Sequence, residues 1–492
     1  MVEHAGKAPG FVDRFLVLRG AMRELWITFA VKVLGIAAYQ VMNMTLVLWL
    51  SSDFGYNDIE ALGLVLTWSI VMTVCTVLVG SLTDAIGLRR AFLLGVWVCV
   101  FARFVMTFTT VKWVALVGGL FPLALGEALG TPVMVAGIRR YSTTAQRSIS
   151  FSLFYVLMNV GFLIAACIFD YVRQGMGEHG HVTLPLIGLT ITTYRTLFLV
   201  SLLLELCLLP ILYFGVREGA EATDEGVEIS PKPPKYPHEN VWSAFRLTVR
   251  DTVRDTVRLF ATLGRQPGFY RLLSFLMLIA FVKLIYKQMD YAYPKFGIRE
   301  LGEGAPIGRL WGINSALIII LVPIVGALTQ KSSAYRMVTL GSIISAVSVL
   351  FMTLPTTWFQ GMADSTLVRW TAHAYLGLSG SVNPWYVMIF LFVLLLSVGE
   401  AVYSPRVYEY AAAIAPKGQE ASYGALSYVP FLLAKVLVGT VSGVLLAEYC
   451  PASGPRHSQT MWLIIALMTT ICPLGLITLR RWIRVPEAGR EG

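Results

Sequence analysis

Twelve long apolar runs constrain this chain more than any other feature: residues 27–50, 61–82, 91–110, 113–137, 149–169, 194–215, 270–293, 307–328, 336–354, 385–413, 423–448 and 460–480. Each is close to the roughly 20 residues an α-helix needs to cross a bilayer, and the runs are numbered spans 1 to 12 below. They are continuous rather than alternating, which excludes a transmembrane β-barrel. Hydrophobic residues make up 56% of the chain and charged residues only 14%, far from the balance of a soluble domain. The expected fold is an all-α membrane protein with its helices in two six-helix bundles. The expected order is a segment at 1–26, a first bundle at 27–215, a linker at 216–269, a second bundle at 270–482 and a tail at 483–492.

Basic residues set the expected orientation. Arg14, Arg19 and Arg23 precede span 1, Arg89 and Arg90 follow span 2, Arg139, Arg140 and Arg147 follow span 4, and Arg480, Arg481 and Arg484 close span 12. All fall on one side of an even number of spans, so both termini are expected in the cytoplasm of a multi-pass protein of the plasma or inner membrane. Lys295, Arg299 and Arg309 break the pattern on the other side. The net charge of +10 then reflects topology and contact with anionic lipid, not nucleic acid. Charges run almost to span 1 with no small-residue cleavage site, so no removable signal peptide is expected. Of the six cysteines, Cys75, Cys99, Cys167, Cys207 and Cys472 lie within spans and Cys450 at a helix end, and all the histidines lie outside the spans. No metal site, haem or other cofactor is expected.

The linker opens with an acidic, proline-containing stretch from Arg217 to His238 that reads as flexible. Over 241–263, Arg246, Arg250, Arg254 and Arg258 recur every four residues, as do Phe245, Val249, Val253 and Val257. This is an amphipathic helix, lying on the membrane surface or docked against the bundle.

Proline and glycine interrupt several spans: Pro122, Gly126, Gly130 and Pro132 in span 4, Pro323 in span 8, Pro405 in span 10 and Pro430 in span 11. Charges inside the spans are sharper evidence, because each costs a few kcal/mol near the bilayer centre and needs a partner or a watered path. They are Lys32, Arg103, Glu127, Glu205, Lys283, Lys287, Asp290, Glu400 and Lys435. Positions 283, 287 and 290 share one face of span 7, and Lys32, Tyr39 and Asn43 share a stripe of span 1. Arg103 and Glu205 read equally as glue between helices, and Lys435 as a structural partner of Glu400. For the others a central binding cavity is the expectation.

The turn between spans 2 and 3, Gly80-Ser-Leu-Thr-Asp84-Ala-Ile-Gly87-Leu-Arg89-Arg90, resembles the cytoplasmic loop of major facilitator transporters, which implies that fold and a role in conformational switching. Ser397-Val-Gly399-Glu400-Ala-Val-Tyr-Ser404-Pro405, with Ala415-Pro416-Lys417-Gly418 after it, is similar to helix 10 of the proton-coupled oligopeptide transporters. Phe154-Tyr155-Val-Leu-Met-Asn159-Val-Gly161 resembles that family's helix 5, and the run from Asn314 to Pro323 its helix 8. Tyr286-Lys287-Gln288 resembles a helix 7 step with lysine in the acidic place. The family's helix 1 pattern E-x-x-E-R falls on Lys32, Gly35 and Ile36, and its helix 4 lysine falls on Thr131 beside Glu127. Charges have changed places, and Lys32 is expected to find its partner in Glu127.

These readings imply a secondary active transporter, not an enzyme, moving a small peptide-like or carboxylate-bearing solute by alternating access with proton symport. The alternative is a transceptor or uniporter on the same scaffold. No phosphate-binding loop supports nucleotide-driven pumping, and no His-based or serine-elbow constellation supports catalysis. Expected substrate or coupling residues are Lys32, Tyr39, Asn43, Glu127, Asn159, Lys283, Lys287, Asp290, Asn314, Glu400 and Lys435. The switch motif is Gly80, Asp84, Gly87, Arg89 and Arg90. Expected partners are a small-molecule substrate, protons and the lipid bilayer, with the protein a monomer.

Overall fold

A computed structural model describes residues 17–185, 188–229, 236, 238–329, 332–414 and 429–484. Twelve helices among them are long and apolar enough to cross a membrane. Spans 1 to 6 are Arg23–Phe54, Asp58–Thr76 (in a helix continuing to Ile86), Leu88–Phe108, Val114–Tyr141, Thr144–Met176 and Thr193–Gly215. Spans 7 to 12 are Pro267–Tyr291, Ile307–Leu328, Ala334–Thr353, Pro384–Val407, Leu432–Tyr449 and Ser458–Thr478. Apolar side chains fill the helix contacts, while large ones such as Trp97, Phe101, Phe104 and Leu467 stay exposed as a lipid-facing belt requires.

Packing repeats between the halves. Span 1 packs on spans 5 and 6, span 4 on spans 2 and 3, and span 3 on span 6; span 7 likewise packs on 11 and 12, span 10 on 8 and 9, and span 9 on 12. The main contacts between bundles, span 2 with 11 and span 5 with 8, are equivalents under the same repeat. Such duplicated bundles are the architecture of secondary transporters.

The linker departs from the flexible stretch expected of it. Ala220–Thr223 pairs antiparallel with Gly226–Ile229. At the hairpin tip, Asp224 accepts from the backbone N–H and hydroxyl of Thr144, both at 3.0 Å, where span 5 begins. Those bonds hold its carboxyl below its usual value. The pairing of four backbone positions and this anchor outweigh a composition that reads as polar loop. The helix expected over 241–263 is Val241–Leu263, and it packs on the helix of span 2.

Away from the termini, the bundles are tied by charge. Asp58 at the start of span 2 takes Lys295 at 2.6 Å and both guanidinium nitrogens of Arg299 at 2.9 Å. Asp170 of span 5 accepts from the backbone N–H groups of Gly308 at 2.8 Å and Arg309 at 2.6 Å, in the first turn of span 8. Arg173 donates to the Ala305 carbonyl at 3.1 Å and pairs with Glu178, which also accepts from the Gly304 N–H at 3.2 Å. Burial pushes the Glu178 carboxyl up, but the Arg173 hydrogen bonds outweigh it and hold it below its ordinary value. Its stabilisation is complete above the ordinary carboxylate range and is lost as pH falls through the lower folded value. The bonds that join the bundles among the described residues run from mid-depth to this face.

Close approach at the clamp requires glycine. A Cβ on Gly308 would stand 2.7 Å from the Ala166 carbonyl and 2.9 Å from Asp170 Oδ1, whereas one on Gly130 would meet nothing within 4 Å. Gly308→Val is expected to destabilise the protein by about 1–3 kcal/mol, as overpacking does. Gly130→Ala is expected to leave stability unchanged or slightly raised. Thermal unfolding of the purified protein checks the pair, and equal melting midpoints would contradict the close packing of spans 5 and 8.

Candidate functional site

Three charged clusters occupy the interior. The first joins the bundles. Lys287 Nζ and Asp290 Oδ2 of span 7 are 2.5 Å apart, and the other Asp290 oxygen accepts from Gln40 Nε2 of span 1 at 3.2 Å. Their i, i+3 spacing puts both on one face of span 7, which folds the lysine back onto the carboxylate. Tyr291 reaches Ser69 of span 2 at 3.4 Å, and Ser442 of span 11 donates to Gln288 at 2.7 Å. Lys435 of span 11 stands within electrostatic reach of Lys287 and Asp290, with no carboxylate bonded to it among the described residues.

The second cluster lies within the second bundle. Asn314 Nδ2 donates to Glu400 Oε2 at 3.1 Å and to Ser397 Oγ at 3.0 Å. Lys283 Nζ donates to Ser404 Oγ at 3.2 Å, stands 4.8 Å from the Tyr403 ring centroid, and feels the charge of Glu400. Gly399 makes this placement possible: a Cβ there would stand 2.9 Å from the Gly341 carbonyl, so span 9 could not pack against the turn that carries Glu400.

The third cluster lies in the first bundle. Arg103 of span 3, fully buried, donates from Nη2 to Glu127 Oε1 of span 4 at 2.5 Å and from Nε to Ser201 Oγ of span 6 at 2.7 Å. Its Nη1 faces Glu205 Oε2 at 3.4 Å. Glu127 therefore does not pair with Lys32. Along their helices, Arg103 and Glu127 both lie about 20–23 Å from the face that carries the termini and Lys32 only about 14 Å, at about 1.5 Å per residue. The lysine instead sits over the Phe154 ring of span 5, 4.2 Å from its centroid.

Of the other expected site residues, Tyr39 lies within electrostatic reach of Glu127, Asp290 and Tyr291, between the first and third clusters. Asn43 is buried with both amide atoms unpaired among the described residues. Asn159 donates to the Tyr155 carbonyl one turn back, at 3.0 Å. In the turn after span 2, Gly87 takes a φ of 88° and joins two helices directly. Arg89 donates to the Tyr213 carbonyl of span 6 at 2.7 Å, and Arg90 pairs with Glu218 at the start of the linker at 3.2 Å. Gly80 and the Asp84 side chain lie outside the description, as do residues 415–418 of the helix 10 resemblance.

Sequence reasoning did not assign Gln40, Ser201, Ser404 or Tyr403 to the site: Ser404 and Tyr403 entered only within the helix 10 resemblance, and Gln40 and Ser201 stand in apolar runs outside any motif. The clamp left a trace: Lys295, Arg299 and Arg309, which break the charge asymmetry, are the cations that meet Asp58 and Asp170.

Comparison with known proteins agrees with this architecture. The solved structures similar to the chain include one described as giving structural insights into substrate recognition in proton dependent oligopeptide transporters. It has a TM-score of 0.68 and 16% identity, with 94% of this chain and 99% of that chain covered. A POT family transporter in complex with 5-aminolevulinic acid gives 0.66 and 15%, covering 97% and 98%. The peptide transporter POT in complex with sulfate gives 0.64 and 15%, covering 94% and 95%. At these identities the likeness is one of fold. No curated protein sequence matches. The family model of the Major Facilitator Superfamily matches residues 28–383, most of the chain. The chain is therefore a multi-pass membrane transporter, not an enzyme, and belongs to the major facilitator superfamily.

Proposed function

We propose that this transporter moves a small, carboxylate-bearing, peptide-like solute across a cell membrane by alternating access, driven by protons, with both termini in the cytoplasm. The observation that carries the reading is an excess of buried cations. In the second bundle three lysines, Lys283, Lys287 and Lys435, lie at this depth in the spans, against two carboxylates, Asp290 and Glu400, among the described residues. Lysines held in a low-dielectric interior without full compensation favour an anionic ligand. The solved structures of similar fold with sulfate and with 5-aminolevulinic acid, an acid with an amine, support this class of solute.

In this mechanism Asp290 or Glu400 takes a proton, loosens its hold on the neighbouring lysine and frees it for the solute's carboxylate. Release of solute and proton to the cytoplasm lets the ion pair re-form. The clamp of Asp58, Asp170 and Arg173 with the second bundle corresponds to closure of the outer face. Gly80, Asp84, Gly87, Arg89 and Arg90 act as the cytoplasmic switch, with the two arginines fixing the end of span 6. Tyr39, Asn43, Glu127, Asn159 and Asn314 complete the site, and one chain suffices as the transport unit.

Purified protein in liposomes with an imposed pH gradient is expected to accumulate such a solute, and Glu400→Gln to abolish the gradient-driven component while the protein still folds. Wild-type accumulation by that variant would remove Glu400 from coupling. The altered helix 1 positions favour one rival, a uniporter on the same scaffold. Equilibration that ignores the pH gradient would select it.

The lysines set a second expectation. Converting the solute's carboxylate to an amide should weaken binding about tenfold or more, the equivalent of about 1.4 kcal/mol. Lys287→Ala should erase that difference. Equal affinities of acid and amide for the wild-type protein would make the lysines structural.

A further inference from the structure

The Arg103 cluster has an unbalanced charge. One guanidinium faces two buried carboxylates, Glu127 at 2.5 Å and Glu205 at 3.4 Å. Glu205 accepts no hydrogen bond among the described residues, and Arg103 Nη1, which faces it, has no hydrogen-bond partner. The Nε of Arg103 is taken by Ser201, whose hydroxyl donates in turn to the Ala38 carbonyl at 2.8 Å. The Asp170 and Arg173 cluster differs here, because its carboxylates also accept backbone N–H groups and meet a second arginine.

The groups facing the Arg103 cluster do not correct the imbalance. Span 3 adds the Cys99 thiol and span 1 the Tyr39 phenol. Span 2 carries charged residues only at its ends, as Asp58, Glu60 and Asp84. Span 5, which also packs on spans 1 and 6, carries no charge at this depth. Lys32 is about one and a half helical turns nearer the termini, over Phe154. Across the bundle interface, Lys287 and Asp290 already pair with each other. A buried carboxylate with neither a full counter-charge nor hydrogen bonds is relieved by taking a proton.

We propose that Glu127 and Glu205, bracketing Arg103, form a proton-binding site of the first bundle that holds one exchangeable proton shared between the two carboxylates. An O–H bond forms at one carboxylate oxygen with a proton drawn from water, and the cluster passes from a net charge of −1 to neutral. Glu127, whose side chain is 13% exposed against 7% for Glu205 and none for Arg103, is the route of entry. The two carboxylates titrate as a unit. Tyr39, within electrostatic reach of both Glu127 and Asp290, stands between the cluster and the Lys287 and Asp290 pair. Loss of the negative charge therefore favours an anion there, and by linkage an anion favours the proton. This last step rests on the proposed function, whereas proton binding itself does not.

Infrared difference spectra of the purified protein, without solute, test the site across a pH titration. Wild type is expected to show a protonated-carboxyl C=O band that Glu205→Gln loses. Glu127→Gln should lose it as well, because a single remaining carboxylate is balanced by Arg103. Two variants keep the test decisive if one folds poorly. A wild-type spectrum without a pH-dependent band, or a band undiminished in either folded variant, overturns the proposal. Failure of solute uptake with the band intact would instead count against the transport reading and leave this site standing.

Discussion

Asp170 supplies from one bundle the cap that a helix of the other bundle lacks. Span 8 begins after Pro306, which has no side chain able to accept the free N–H groups of the first turn. The carboxylate of span 5 takes two of them and meets the positive end of the helix dipole. A helix terminus left without acceptors in this buried setting is costly, so the arrangement of the halves satisfies a local requirement of the backbone. Arg173 and Glu178 extend the same logic to the carbonyl of Ala305 and the N–H of Gly304. Because these bonds come from backbone groups as well as side chains, they fix position and angle in a way that two long flexible side chains alone do not.

Charge in the interior follows a similar economy of partners. Asp290 serves Lys287 and Gln40 at once, and Glu400 is held by Asn314 while feeling Lys283. Lys32 relies on an aromatic face, a weaker substitute for a carboxylate. The interior is thus neither uniformly satisfied nor uniformly bare, and the places of incomplete compensation are where a solute or a proton has energetic leverage.

Much of the fold is legible in the sequence because hydrocarbon imposes one requirement on every crossing segment. The apolar run at 27–50 corresponds to the helix Arg23–Phe54, four residues longer at each end, and the four-residue arginine period marks Val241–Leu263. The hairpin at 220–229 escaped notice because its strands are only four residues long and alanine and glutamate are weak strand formers. Site residues were legible by type and not by partner. Glu127 stands out as a charge in an apolar helix, but its choice of Arg103 over Lys32 depends on relative depth along two helices far apart in sequence, which no local pattern encodes.

The hairpin and the linker helix bear on how motion passes between the halves. Asp224 pins the hairpin to the start of span 5, and the helix Val241–Leu263 lies along span 2. Both parts of the linker thus travel with the first bundle. Between Leu263 and Pro267 only three residues remain before span 7 begins. The covalent connection therefore behaves as a short pivot rather than a slack tether, and any rocking of one half on the other applies its torque at residues 264–266.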